Sequence, residues 1–200
     1  MPEPILVSPP AVEPLTLADV RLHLRIDPDN TSEDALLSQL IRAARRQAEQ
    51  ELGRRLVTQT WDMLLDAFPA GDEAIKLHPG LCKAQSIALI QYLDPLGATQ
   101  TMPSAQYALD ANELPGYVFT TGTNTWPTSV ADSANCVRVR VVCGYGNAAD
   151  VPDNVVAWIK LQIGALWANR EAFATGVSVS ELPARFTAAL LDSERVYLSV

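Results

Sequence analysis

The sequence has few of the residues that most often carry chemistry or enter membranes. It contains three cysteines, Cys82, Cys136 and Cys143, which form no C-x-x-C pair, and two histidines far from them in sequence. This spacing predicts neither a disulfide framework nor a zinc site, and it favours buried thiols in a reducing, intracellular compartment. No apolar run reaches the roughly 20 residues that a membrane-spanning helix needs. The first 14 residues lack the basic and apolar regions of a secretory signal peptide.

Basic residues are also scarce. The 200 residues include 15 Lys and Arg against 23 Asp and Glu, which gives a formal net charge of -8. A protein that binds nucleic acid by neutralising phosphates needs the opposite balance, although this charge permits a protein that encloses DNA without binding it. The common phosphate-loop, dinucleotide, zinc-protease and nucleophile-elbow motifs are missing. Hydrophobic residues make up 48% of the chain, which is ample for a globular core.

Apolar residues at helical spacing predict four helices, two near each end of the chain. Thr16 and Asp19 have the spacing of a capping box, which indicates where the first helix begins. The second helix has an acidic first turn and ends at Gly53, a natural C-cap. The third is apolar on two faces, so we expect it at the centre of the helical assembly. The four helices span about residues 16–24, 32–53, 151–173 and 183–198.

Between the helices the apolar pattern changes to period two, which is typical of strands. The clearest strand is Cys136–Cys143, with valines on one face and two arginines on the other; we expect these arginines at a surface or contact. The remaining strands are expected at residues 57–66, 74–77, 86–93, 107–110 and 118–120. We therefore predict an α+β fold: a helical core of two N-terminal and two C-terminal helices, with a β-rich insertion at about residues 57–146.

Residues 1–14 contain five prolines and few periodic apolar residues. Because proline lacks a backbone N–H, this segment is predicted to be an extended, partly polyproline-like arm. Such an arm is either loose, as we expect in a monomer, or laid across a neighbouring subunit. Residues 15–200 then form a single domain that includes the β-rich insertion.

Three acidic residues suggest an enzymatic alternative, a metal-dependent hydrolase that uses Asp62, Asp66 or Asp110. Asp62 and Asp66 are expected on the same face of one strand. No histidine, lysine or closely spaced ligand set accompanies them, so a solvated strand face is the favoured interpretation. We therefore predict no catalytic, cofactor-binding or metal-binding residue.

An ordered set of short stretches extends along most of the chain. The stretches are Leu15–Val20, His23–Asp27, Glu33–Leu36, Gly53–Trp61, Tyr92–Asp94 with Gly97, Trp126–Pro127, Val139–Val141, Gly144–Gly146, Val151–Pro152 and Trp167–Ala172. Together they cover roughly residues 15–196 and resemble the head–tail connector (adaptor) proteins of tailed bacteriophages and related phage-like particles. One departure is Trp167–Ala168, where the family often has an aromatic residue directly before the Asn-Arg-Glu triplet.

The resemblance implies a structural, non-catalytic role without cofactor, metal or membrane. Family members form a ring of about twelve copies beneath the portal protein, at the virion neck, after assembly in the host bacterial cytoplasm. The ring extends the channel through which double-stranded DNA passes without specific binding, and it contacts the next neck or tail protein. The alternatives are another neck protein, such as a stopper or tail-completion protein, a DNA-binding helix-turn-helix protein, which the net charge argues against, and the hydrolase described above.

A ring of this kind requires two different complementary faces on every subunit. The second helix offers one candidate face, on which acids interleave with arginines and Arg45 and Glu49 have ion-pair spacing. The arginine face of the strand 136–143 offers the other. We therefore predict that the oligomer interface includes Arg45, Arg46, Glu49, Arg138 and Arg140.

Overall fold

A computed structural model of the chain describes residues 3–71, 73–169 and 189–196. It contains α-helices and antiparallel sheets, which confirms the predicted α+β class. The described residues form two compact units. We call residues 3–11 and 53–145 the β unit, and residues 12–52, 146–169 and 189–196 the helical unit.

The helical unit contains α1 (Leu17–Leu24), α2 (Asp34–Leu52) and α3 (Asp153–Ala168). The predicted capping box at α1 is confirmed: Asp19 N–H donates to the Thr16 hydroxyl, and Thr16 N–H donates to the Asp19 carboxylate. Helix α2 begins at Asp34, two residues later than predicted. The hydroxyl of Ser32 donates to the side chain of Asn30, so Ser32 belongs to the turn that precedes the helix. The predicted continuation of the third helix to residue 173 lies outside the described residues. So does most of the predicted fourth helix, of which residues 189–192 are helical.

The core of the helical unit lies where α2 packs against α3, with α1 in contact with both. Helix α3 buries Trp158 together with three β-branched residues, whereas Leu166 near its end is 38% exposed. The side chain of Asn154 on α3 also donates to the carbonyl of Leu190, which joins residues 189–192 to this helix. The most buried apolar residues of the unit are Val20, Leu37, Ile41, Ala44, Ala48, Leu52, Val155, Ile159, Ile163 and Leu191.

The β unit consists of two antiparallel sheets. One has five strands in the order β1-β2-β8-β4-β5, and the other has three in the order β3-β7-β6. The strands are β1 (Ile5–Ser8), β2 (Gln59–Leu65), β3 (Ile75–Lys76), β4 (Ala84–Leu93), β5 (Thr99–Met102), β6 (Tyr107–Asp110), β7 (Tyr117–Thr120) and β8 (Val137–Cys143). All strand pairs are antiparallel.

The apolar face of the five-stranded sheet forms the core of the β unit. The alternating valines of β8 are fully buried, and Met63 and Ile90 lie opposite Val139 on the two neighbouring strands. Their side chains share one face because the period of a strand is two. The same register places Arg138 and Arg140 on the other face, with Asp62 and Leu64 of β2.

Two strands of this sheet were not predicted. Residues 5–8 form β1 and pair with β2, so this part of the expected arm is a sheet strand and not a loose segment. Strand β5 pairs with β4 after the turn at Asp94–Gly97, but its sequence Thr-Gln-Thr-Met has no apolar alternation. Both strands lie at the edges of the five-stranded sheet.

The predicted break at Gly144 is confirmed and has a steric cause. Gly144 has a positive φ of 128°, and a Cβ atom built there would lie 2.6 Å from the carbonyl carbon and oxygen of Val57. Only glycine fits where the chain leaves β8 so close to another backbone segment. Among the described residues, no helix is both long and apolar enough to cross a bilayer.

Candidate functional site

Asp62 and Arg140 form a bidentate ion pair across β2 and β8. They are direct partners in the strand register. Arg140 Nε donates to Asp62 Oδ1 over 2.7 Å, and Nη2 donates to Oδ2 over 2.9 Å. These hydrogen bonds raise the pKa of Arg140, against the opposing effect of burial. The pair fixes the positions of both side chains on the sheet face that lies opposite the valine core.

Arg138 lies on the same face but is held less closely. Its Nε is 3.6 Å from Asp62 Oδ2, beyond ordinary hydrogen-bonding distance, and its side chain is 49% exposed. Its register partners, Leu64 on β2 and Gln91 on β4, carry no charge. Because Asp62 already balances Arg140, Arg138 supplies the excess positive charge of this face.

Arg45 and Glu49 lie in the interior of the helical unit and not on a charged outer surface as predicted. Arg45 Nη1 donates to Glu49 over 2.9 Å, and its Nε donates to Glu13 over 2.7 Å. Burial alone would lower the pKa of Arg45, but the charges of Glu49 and Glu13 outweigh it and raise the pKa. The predicted i,i+4 pair is therefore present, but Glu13 and the rest of the chain cover it.

Arg46, the next residue on α2, is exposed. The structure thus separates the residues of the predicted interface. Arg46 and Arg138 present charge to solvent, Arg140 is compensated by Asp62, and Arg45 and Glu49 are buried. An interface role for each of the five residues stays a prediction.

A basic and aromatic cluster in the β unit was not identified from the sequence. The Tyr145 ring lies under Lys83, whose Nζ is 4.9 Å from the ring centroid, and the Tyr145 hydroxyl accepts a hydrogen bond from Arg54 over 3.2 Å. Arg55 stacks on Trp61, with 4.1 Å between its guanidinium carbon and the ring centroid. Arg54 and Arg55 are adjacent in the sequence and Trp61 follows six positions after Arg55, but Tyr145 lies 91 positions from Arg54, so the sequence pattern does not bring the cluster together. Cation–π contacts of this kind place a cation over the face of an aromatic ring.

The acidic residues of the hydrolase alternative are engaged elsewhere. Asp62 pairs with Arg140, while Asp66 accepts a hydrogen bond from Asn135 N–H and Asp110 accepts two from Asn112. Strand β2 ends at Leu65, so Asp66 lies beyond it. Across the described part of the chain, no group of three or more His, Cys, Asp or Glu side chains is arranged to hold a metal ion.

Comparison with known families confirms the resemblance seen in the sequence. Residues 14–109 match the family described as Phage gp6-like head-tail connector protein. The matched region includes α1, α2 and strands β2 to β5. It also contains Asp62, Arg45 and Arg46. No curated protein gave a significant match.

Solved structures share the fold over nearly the whole chain. A chain of the neck of an empty GTA particle computed with C6 symmetry aligns with a TM-score of 0.74 at 20% identity, covering 98% of this chain and 97% of that one. A chain of the virion of a native gene transfer agent (GTA) particle gives 0.74 at 18%, with 98% and 97% covered. A chain of the neck of a native GTA particle computed with C12 symmetry gives 0.67 at 15%, with 98% of both chains covered. At these identities the likeness establishes the fold.

Proposed function

We propose a function from the premise that the chain belongs to the phage gp6-like head-tail connector family, whose model matches residues 14–109. The protein is a structural connector subunit of a phage or phage-like particle. About twelve copies stand side by side in a ring beneath the portal at the virion neck, after assembly in the bacterial cytoplasm. The ring extends the DNA channel and contacts the next neck or tail protein. The helical unit and the β unit act together as one connector domain.

The family match is the observation that carries this proposal, and the structural likenesses support it. Two of the similar chains come from particle necks computed with C6 and C12 symmetry, in which copies are related by rotation about one axis. The likeness extends over 98% of this chain, well beyond the part that the family model matches. A subunit with the same fold is suited to the same kind of cyclic arrangement.

A closed ring needs a heterologous interface, in which one face of a subunit meets a different face of its neighbour. Arg138 on the β unit and Arg46 on the helical unit are exposed cations in a chain with a net charge of -8. Copies of an acidic protein repel one another unless basic groups meet acidic ones locally. We therefore propose that both arginines contribute to subunit contacts.

The excess of acidic residues also suits a conduit for DNA. Each phosphate contact by Lys or Arg adds affinity, and a channel that binds tightly would impede passage. The lumen-facing surface is thus expected to be neutral or acidic, and the subunit makes and breaks no covalent bond. A continuous basic lumen in an assembled ring would contradict this part of the proposal.

The proposal is tested by mixing the purified protein with the portal protein of its own particle and imaging the mixture by electron cryomicroscopy. Portal alone provides the control. The expected result is additional ring-shaped density of this chain on one end of the portal, coaxial with its channel. A portal whose images are identical with and without the protein would overturn the proposal. Binding only to a later neck component would favour the stopper or tail-completion alternative.

A further inference from the structure

The edge strand β1 exposes three consecutive apolar side chains. Ile5 is 53% exposed, Leu6 is 41% and Val7 is 39%. Within the described residues β1 pairs with β2 alone, so the backbone groups on its other side have no strand partner there. Soluble proteins usually protect such edges with charged residues or prolines inside the strand, because an open edge is a template for another strand. In this chain Pro4 and Pro9 flank β1, and the strand itself contains neither a proline nor a charged residue.

The opposite edge of the same sheet is also unpaired in the part of the chain that the structure describes. Strand β5 pairs with β4, and its residues Thr99, Gln100 and Thr101 are exposed and uncharged. The turn before it is rigid, because the Asp94 carboxylate accepts hydrogen bonds from Leu96 N–H, Ala98 N–H and the Gln100 side chain. The β5 edge is therefore held in a fixed position at the end of the sheet.

The direction of the two edges decides how copies can join. Four antiparallel pairings separate β1 from β5 in the order β1-β2-β8-β4-β5, so β1 and β5 run the same way. A rotation that repeats the subunit around a ring preserves this direction. Strand β5 of one copy thus meets β1 of the next in a parallel pairing, whereas pairing of β1 with a second β1 would be antiparallel and two-fold symmetric.

We propose that the β5 edge of one subunit pairs with the β1 edge of its neighbour, which continues the five-stranded sheet from subunit to subunit around the ring. This inference rests on the proposed ring. A second copy is the favoured occupant because the two unpaired edges of one chain run in the same direction, as a rotational repeat requires. Each chain carries a net charge of -8, so the charged surfaces of two copies repel each other. The segments Ile5–Ser8 and Thr99–Met102 contain no charged residue, so these two edges approach each other without that repulsion.

Strand register supplies the test, because it fixes which side chains share a sheet face. Ile5 lies opposite Asp62, on the sheet face that carries Arg138 and Arg140. Thr101 lies opposite Gln91 on that same face. Thr99 shares their face, whereas Gln100 points to the other side. In a continued sheet, a cysteine at position 5 faces a cysteine at 99 or 101 of the neighbour, and never one at 100.

The experiment forms disulfides in the ring assembled on the portal. The chain carries Ile5→Cys together with Thr99→Cys or Thr101→Cys, and the matched control carries Ile5→Cys with Gln100→Cys. Disulfide geometry requires Cβ atoms about 3.5–4.5 Å apart, which only residues on one face reach. The native Cys82, Cys136 and Cys143 are at most 2% exposed and do not compete. We expect covalent chains of many subunits from at least one matched pair, and single subunits from the control.

A second variant blocks the edge without cysteine chemistry. Leu6→Lys places a charge on β1, and Leu22→Lys, at a leucine that is 81% exposed in the helical unit, is its control. Both variants should keep the melting temperature of the wild-type monomer, since both side chains are exposed. We expect Leu6→Lys to lose ring formation on the portal and Leu22→Lys to retain it.

Rings that form normally but give no cross-link with either matched pair, or Leu6→Lys protein that assembles like the wild type, would overturn the sheet continuation and leave the proposed function standing. Covalent dimers from Ile5→Cys alone would also overturn it, in favour of a two-fold contact between β1 strands. Wild-type protein that never assembles on the portal would refute the proposed function and this inference with it.

Discussion

Arg140 on β8 holds Asp62 on β2 through two parallel hydrogen bonds of 2.7 and 2.9 Å, on the sheet face opposite the valine core. The carboxylate is 10% exposed and the guanidinium 28%, so each would be poorly solvated without the other. Arg138 Nε lies 3.6 Å from the same carboxylate. Asp62 is thus the central charge of this face.

Replacing Asp62 with Asn should destabilise the β unit by about 1.5–3 kcal/mol, the usual range for charged hydrogen bonds. The loss would leave Arg140 half-buried next to Arg138 without a counter-charge. Urea unfolding followed by tryptophan fluorescence measures it. The control is Asp132→Asn, at an exposed carboxylate, which should change stability by less than about 0.5 kcal/mol. Equal effects of the two substitutions would show that the ion pair contributes nothing.

Arg45→Ala should destabilise the helical unit by about 3–5 kcal/mol, since removing one member of a buried ion pair leaves a buried charge uncompensated. Glu49 would lose its partner at 2.9 Å, and Glu13 would lose the bond that fixes it to α2. Arg46→Ala is the control on the adjacent, exposed position. Denaturant midpoints compare the variants, and an Arg45→Ala midpoint like that of Arg46→Ala would contradict the buried network.

Charge reversal at the exposed arginines should weaken the ring and leave the subunit folded. Arg138→Glu and Arg46→Glu replace cations that present charge to solvent, whereas Arg45→Glu would act through loss of folding. Analytical ultracentrifugation with portal measures assembly, and circular dichroism verifies the fold. Lys76→Glu, at an exposed cation on β3, provides the control outside the predicted interface. Undiminished assembly of both variants would remove these arginines from the interface.

Acidification should destabilise the β unit partly through His78. Burial lowers the pKa of His78 below its ordinary value of 6.5, and its Nδ1 accepts a hydrogen bond from Gly80 N–H over 3.0 Å. A group whose pKa is lower in the folded state contributes stability above its unfolded pKa and loses it as pH falls. Thermal denaturation from pH 7.5 to 5 should therefore show a falling melting temperature. In His78→Asn the amide oxygen can still accept a hydrogen bond but does not titrate between pH 5 and 7.5, so the melting temperature of this variant should depend less on pH. Parallel pH profiles for the variant and the wild type would exclude His78 as the cause.

Gly144→Ala should destabilise the β unit more than Gly97→Ala does. Both glycines have positive φ, 128° and 82°, so both alanine variants incur backbone strain of about 1–3 kcal/mol. A Cβ at 97 meets nothing within 4 Å, whereas one at 144 overlaps the backbone of Val57 at 2.6 Å. This overlap should add about 1–3 kcal/mol, measured by urea unfolding. Equal losses of unfolding free energy in the two variants would show that the backbone at Val57 moves away from the added Cβ without measurable cost.

Local patterns in the sequence predicted those parts of the fold that depend on neighbours along the chain. The capping box of Thr16 and Asp19 and the alternation of β8 are examples, because both involve residues only a few positions apart. Strand β1 was not predicted, because its four residues lie between prolines and do not alternate between apolar and polar. Its pairing with β2 also joins positions more than fifty residues apart, which no local pattern reveals.

The candidate surfaces show the same division. Helical spacing correctly paired Arg45 with Glu49, but it could not reveal that Glu13 would cover them, since that contact spans 32 positions. The arginines of β8 were placed on the correct strand face, although their common partner Asp62 depends on the register between β2 and β8. Periodicity identifies the face of an element, and only tertiary contacts determine what lies against it.

The number of subunits in the assembly formed on the portal distinguishes a closed ring from every other arrangement. Native mass spectrometry of the complex gives this number from the difference between portal with and without the protein, divided by the subunit mass of 21.7 kDa. For a closed ring we expect a single stoichiometry of about twelve copies, without intermediate species. A complex that carries one or two copies, or an open series of sizes without a preferred number, would contradict it.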